Sequence, residues 1–281
     1  MTRTSLQLVL ACSAAVALRA QAPAAPAAKD PISDNSFFIE ESYNQEAGVV
    51  QHISAFTRMA SGKGWAYTFT QEWPVPGERH QLSYTLPITN LGSGATTGLG
   101  DLMINYRYQA LHDEKSGFAF SPRLSVSLPT GDKTKGLGMG GTGWQVNLPV
   151  SKTLGESFVA HTNAGATWFS KAPGAGDAST SVHAVNVGQS VIWLATPRFN
   201  VMLESVWTRT TTSSKSGDHA DETAFIIPGI RWGYDFKSGL QVVPGIGMPI
   251  GVGRSSGTHQ LFLYLSFEHP FTAAARAEAQ K

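Results

Sequence analysis

The stretch GWAYTFTQEW, residues 64–73, places rings at Trp65, Tyr67, Phe69 and Trp73 and small or polar residues between them. Period two is the mark of a β-strand whose two faces differ in chemistry. The constraint on the fold comes from repetition. Twelve segments of this kind follow one another, near 49–60, 64–74, 79–89, 100–111, 117–128, 142–152, 156–169, 181–195, 198–210, 222–235, 239–250 and 258–269. Leu82, Tyr84, Leu86 and Ile88 oppose Gln81, Ser83 and Thr85; Trp144, Val146, Leu148 and Val150 oppose Gln145, Asn147 and Ser151; Phe199, Val201, Leu203 and Trp207 oppose Asn200, Glu204 and Thr208. The first and eighth segments carry apolar residues on both faces, so their phase is open.

The polar face separates two ways of using such strands. A soluble sheet buries its apolar face and shows a solvated face, usually with Lys and Glu. Here the second face is mostly Ser, Thr, Asn, Gln and Gly, and only 15% of all residues are charged. A soluble β-sandwich or a lipocalin-like barrel with the rings inside is the alternative. The connections favour the other reading. After the first, long Gly/Ser/Asp-rich links (90–99, 129–141, 170–180, 211–221, 251–257) alternate with short ones (74–78, 112–116, 153–155, 196–197, 236–239). Membrane β-barrels have short turns at the periplasmic end and longer loops outside. Strands of about 9–11 residues cross the hydrocarbon layer, and a sheet in lipid must close on itself.

The chain is therefore predicted to be all-β, a 12-stranded antiparallel transmembrane β-barrel of outer-membrane type, with its apolar face outward. Trp65, Tyr67, Trp73, Tyr106, Trp144 and Trp207 are assigned to the lipid interfaces, where amphipathic rings settle. The same phase turns Glu72, Asp101, Asn105, Arg107, Arg123, His161, Asn163, Glu204 and Arg231 toward the lumen as pore-lining residues. Bare charges in a narrow lumen are costly, so arginine–carboxylate pairs are expected there.

Four divisions follow. Residues 1–22 read as a signal peptide, with Arg3, an apolar run from Leu6 to Leu18 and a small-residue site at Ala20–Ala22. Cys12 is the only cysteine and follows Val-Leu-Ala, a faint lipoprotein-like context. Residues 23–46 form a periplasmic leader or a plug segment, and Glu40 and Glu41 within it could meet Arg107 or Arg123. Residues 47–271 form the barrel, and 272–281 form a C-terminal tail. Export implies an outer-membrane location in a Gram-negative-type cell, with membrane lipid and the barrel-assembly machinery as partners. A formal charge of +1 argues against a nucleic-acid partner.

Three stretches carry a resemblance. GLGD (98–101) enters the fourth strand, SPRLSVSLPTGD (121–132) precedes the loop GLGMGGTGWQVNLPVSK (136–152), and PGIRWGYDFKSGLQVVPGIGMPIG (228–251) precedes the last strand. Together they resemble the outer-membrane transporter family named for the meta-pathway of phenol degradation, over roughly residues 45–270. The resemblance implies a 12-stranded barrel that passes a small, aromatic or hydrophobic solute.

Other chemistry is weakly supported. GLGMGG fits a phosphate-binding spacing, but a strand follows it where a helix is needed. The eight histidines are scattered, and none is spaced for a metal, so no metal and no cofactor is expected. Asp218, His219 and Asp221 are read as a loop that could at most hold a cation weakly. No catalytic residue is assigned. A barrel hydrolase would need Ser, His and an orienting partner, for which His161, Asn163 and Ser157 share a face. A closed barrel with a structural or interaction role is the remaining alternative to a channel.

Overall fold

The computed structural model describes residues 32–60, 63–92, 94–173, 179–214 and 217–272. The expected signal peptide lies outside them, as does nearly all of the C-terminal tail. Twelve strands form among the described residues. They are β1 (Val49–Met59), β2 (Trp65–Pro74), β3 (His80–Asn90), β4 (Thr97–Leu99, Leu102–Tyr108 and Leu111–Asp113), β5 (Phe118–Phe120 and Arg123–Leu128) and β6 (Gly143–Leu154). β7 (Phe158–Pro173), β8 (Ser179–Thr196), β9 (Phe199–Ser214), β10 (Gly217–Trp232 and Tyr234–Asp235), β11 (Gln241–Gly247 and Ile250–Gly251) and β12 (Gln260–Pro270) complete the sheet.

Every strand pairs antiparallel with its neighbours in sequence. The sheet closes where β1 meets β12, from Val49↔Pro270 to Met59↔Gln260, while its other edge pairs with β2. Closure leaves no edge to be satisfied by lipid, the condition for crossing a membrane with strands.

The two faces are inverted relative to a soluble protein. Leu203 is 55% exposed, and the next residue, Glu204, is 0% exposed. Ile104, Tyr106, Leu124, Trp144, Leu148, Trp207, Leu261 and Leu263 are exposed on the outside, while Gln51, Asn105, Arg107, Ser125, Asn147, Ser190 and Arg231 are buried on the inside. The rings of residues 64–73 follow this rule. Trp65 stacks on Phe56, Tyr67 meets Ser54, and Trp73 meets Tyr84, all on the outer face.

Strand lengths depart from expectation in one region. β7, β9 and the first piece of β10 are 16 residues long, and β8 is 18. The links expected at 170–180 and 211–221 are largely ladder. Thr210↔Asp221 and Ser213↔Asp218 are cross-strand pairs, so Asp218, His219 and Asp221 lie on β10 and not in a loop. Thr and Ser ladder readily without an apolar pattern, which is why alternation did not mark these ends.

Candidate functional site: an occupied lumen

Residues 32–46 form no helix and no strand. They cross the interior of the barrel as a bent loop. The chain enters beside the β8–β9 turn, where Ile32 N–H donates to the Pro197 carbonyl at 2.9 Å. It turns back at Phe37–Glu40 and leaves past Asn44 and Gln45 toward β1.

An extended segment with no strand partner must find a partner for each buried backbone group. The wall side chains provide them. Both Glu204 carboxylate oxygens accept from the tip, at 2.6 Å from Phe37 N and 2.8 Å from Phe38 N. Asn163 Oδ1 accepts from Glu40 N at 2.8 Å, and its Nδ2 donates to Glu40 O at 2.7 Å, the double bond of a strand partner made by one amide. Ser151 Oγ accepts from Ser42 N at 2.8 Å, and Ser121 Oγ donates to Ser42 O at 2.6 Å. Gln81 Oε1 accepts from Gln45 N at 2.7 Å, and Arg231 Nη1 donates to Ser33 O at 3.1 Å.

Side chains on the segment take two kinds of seat. Phe37 lies against glycines. A Cβ on Gly229 would approach Phe37 Cε2 to 2.4 Å, and Cβ atoms on Gly245 and Gly247 would each come to 2.9 Å from the ring. Phe262 and Tyr264, the ladder partners of Gly247 and Gly245, also pack on the ring, at 4.9 and 5.7 Å between ring centres. Ile39 fills the space over Gly188, where a Cβ would come within 2.2 Å of Cδ1. Glu40 instead meets guanidinium groups, Arg123 Nε at 2.8 Å and Arg107 Nη1 at 3.2 Å, while Glu41 reaches Arg107 Nη1 at 3.5 Å. Asn147 Nδ2 adds a bond to Glu40 at 2.7 Å.

Against the segment lies a cavity of about 500 Å³. Glu72, Asn105, Arg107, Arg123 and Asn163 line it, together with Phe37, Phe38, Met103 and Tyr264. His161, Glu204 and Arg231 point inward too, but they are 0% exposed and do not line the cavity. Asp101 is a departure. It sits between two pieces of β4, and its carboxylate accepts from Gly131 N at 2.9 Å and Met139 N at 2.7 Å. The polypeptide leaves the ladder there, so strand phase no longer sets its direction.

Asp101 explains two of the family-like motifs together. GLGD, PTGD and GLGMGG pack as one cap around the buried Leu137. A Cβ on Gly98 would meet Leu137 Cδ1 at 2.5 Å, and one on Gly131 would meet Leu137 O at 2.5 Å. The phosphate-loop reading of GLGMGG thus gives way to a folded loop. The third motif supplies Gly229, Gly245 and Gly247, the seat of Phe37.

His161 does meet a serine, but not Ser157. Its Nδ1 lies 2.7 Å from Ser151 Oγ, and its Nε2 lies 3.0 Å from the Asp34 carbonyl oxygen and 3.8 Å from the Asp34 carboxylate. Ser151 and His161 are both 0% exposed beneath the segment. Sequence reasoning placed Gln81 and Ser151 on the polar face without giving them a role, and it missed the role of Ser121 and the glycine seat. Glycine at inward positions of strands otherwise rich in apolar residues was the available signal.

A closed antiparallel barrel with an outward apolar face, an inward polar face and an occupied lumen defines a protein of the outer-membrane β-barrel class. Residues 29–267 match the family described as "Putative MetA-pathway of phenol degradation", and the chain belongs to that family. Its fold is similar to that of the COG4313 outer membrane channel from Pseudomonas putida F1, with a TM-score of 0.61 and 15% identity over 81% of this chain and 97% of that one. It is also similar to the NanC porin, with a TM-score of 0.51 and 10% identity over 77% of this chain and 98% of that one. A comparison with curated proteins finds no match.

Proposed function

We propose that this barrel resides in the outer membrane and passes a small molecule down its concentration gradient, with residues 32–46 forming the constriction. The cavity of about 500 Å³ bounded by that segment carries the reading. It is large enough for a small solute, and its lining mixes Phe37, Phe38, Met103 and Tyr264 with Asn105, Gln145, Asn186 and Thr208. Such a wall suits a molecule with an aromatic or apolar body and one polar end. Membership of the family and likeness to channel folds support the same class of function. Transport of this kind draws on no bound energy source.

The test is solute-dependent swelling of liposomes that hold the refolded full-length chain, compared with a chain lacking residues 32–46. Benzoate, a sugar and an amino acid serve as solutes. Passage of benzoate ahead of the sugar, with faster and less selective passage after the deletion, is the expected result. If both chains fold, shown by heat-modified mobility on gels, and neither admits any solute, the barrel is a closed structural one and the channel reading fails.

A further inference from the structure

Two histidines that the lumen does not use meet on the outer face of the barrel. His52 lies on β1 and His269 on β12, the strands that close the sheet. Val50 is paired with His269 and His52 with Phe267, so the two rings are diagonal neighbours across the seam. Gln51, beside His52, is 0% exposed inside the barrel, so alternation turns His52 outward, and with it His269. The seam site is near the end of the barrel where β1 begins and β12 finishes.

The spacing of the pair is one that two ligands sharing one ion would have. The Nε2 atoms are 3.3 Å apart, and the ring centres are 5.4 Å apart. Without an ion the two nitrogens share a long hydrogen bond from one ring to the other, with the ring planes 21° apart. A zinc–imidazole bond is about 2.0–2.1 Å, so a tetrahedral ion sets two such nitrogens about 3.3–3.4 Å apart. With each ring centre about 1.1 Å behind its nitrogen, the same ion sets the centres about 5.2 Å apart. Both spacings agree with the pair. Phe69 stacks on the His52 ring at 6.1 Å between centres, which holds that ring in place. The second nitrogen of His269 faces the Pro270 carbonyl oxygen at 3.5 Å, the side from which ligating imidazoles are oriented.

We propose that His52 and His269 chelate a borderline divalent cation, zinc being the probe, and that this ion clips the first strand to the last. Imidazole nitrogen suits Zn²⁺, Ni²⁺ and Cu²⁺. Among the described residues no group of three or more His, Cys, Asp or Glu converges as a metal centre. The clip therefore has two protein ligands, with water in the remaining positions. Because the two ligands come from opposite ends of the barrel sequence, the site exists only once the barrel has closed. An ion bound there stabilises the closed state over the open sheet. This inference is independent of whether the lumen conducts.

The full-length chain, refolded in lipid vesicles, is heated in EDTA and in saturating zinc, and unfolding is followed by gel mobility. The expected result is a midpoint about 4 °C higher in zinc, reduced to no change in His52→Ala and in His269→Ala. His219→Ala, which removes an exposed histidine elsewhere, keeps the zinc shift. If the parent shows no shift, or both seam variants keep it, the proposal is overturned. Cobalt(II) gives a direct second reading. Visible absorption in the parent that is lost in His269→Gln supports the site, and its absence in the parent overturns it. The fold of each variant is checked in EDTA, where the metal plays no part.

Discussion

The two arms of the inserted segment are held by different physics. From Ile32 to Ile39 half of the side chains are apolar, and Ile32, Phe37 and Ile39 sit in hollows left by Gly233, by Gly229, Gly245 and Gly247, and by Gly188. From Glu40 to Gln45 the charged and amide side chains Glu40, Glu41, Asn44 and Gln45 are tied to Arg107, Arg123 and Gln51. The side chains of the first arm are located by shape while Glu204 and Arg231 hold its backbone, and the loss of one apolar contact there leaves a hollow that can partly refill. The second arm is located by charge, and the loss of one partner there leaves a buried ion without compensation. Removing one member of a buried pair typically costs about 3–5 kcal/mol, against about 1.5–3 kcal/mol for an apolar side chain lifted from its site. The polar arm is thus the one that a single substitution should release.

The largest effect is expected from Arg107→Ala. Arg107 serves Glu40 and Glu41 and also donates to the Glu41 and Tyr43 carbonyls. In a Cys12→Ser background, a thiol placed by Ser42→Cys should be shielded in the parent and should react with a water-soluble maleimide once Arg107 is gone. Equal labelling in the two would show that charge does not hold this arm.

Next comes a reversal of the same contact. Glu40→Arg faces Arg107 and Arg123 with like charge and should speed liposome swelling nearly as much as deleting the segment. Adding Arg123→Glu should recover part of the constriction. No recovery would mean that the pair's position, and not its charge, matters.

A smaller effect is expected from Gly229→Leu, which fills the Phe37 seat. A thiol at Ser36→Cys should become reactive while one at Ser42→Cys stays shielded. If both open together, the two arms form one unit and the contrast between them fails.

The smallest effect concerns the outer cap. Asp132 caps the short turn Lys133–Lys135, accepting from Thr134 N at 3.0 Å and pairing with Lys135 at 3.0 Å. Hydrogen bonds from Thr134 and then Lys135 hold its carboxyl down to about 2, below its ordinary 3.8. A lowered native value means the contribution to turn order is complete above the ordinary value and is lost as pH falls through about 2. The Thr134 amide resonance should titrate at that lower pH. Titration at the ordinary value would show the cap to be absent. The inserted segment should not respond, since Asp132 is bonded to Thr134 and Lys135 within its own turn.

Much of the wall was legible in the sequence. Leu203 beside Glu204, and Trp144 beside Gln145, already say which residues share a face, because side-chain direction in a strand is set by position alone. The inward direction of Asn105, Arg107, Arg123, His161 and Asn163 follows from the same rule. Asp101 escaped it because the chain steps out of the ladder between Leu99 and Leu102, and beyond that step parity carries no direction. The upper ends of β7 to β10 escaped it for another reason. Ladder made from Thr, Ser and Asp above the lipid has no apolar side and so leaves no alternation to read.

Charge suggested that Glu40 and Glu41 would seek Arg107 and Arg123, and the ion pairs are there. Nothing local in SFFIEESYNQEAG says that its backbone will be satisfied by Glu204, Asn163, Ser151 and Ser121, which lie between 79 and 167 residues away along the chain. By itself the sequence determined the number of strands, their two faces and the side that meets lipid, since each depends on period and composition within a few residues. Only the tertiary structure decided what fills the lumen, which glycines form a seat, and that His52 stands against His269. Those facts depend on closure of the sheet, which brings together residues from the two ends of the chain, and no pattern confined to one segment records it.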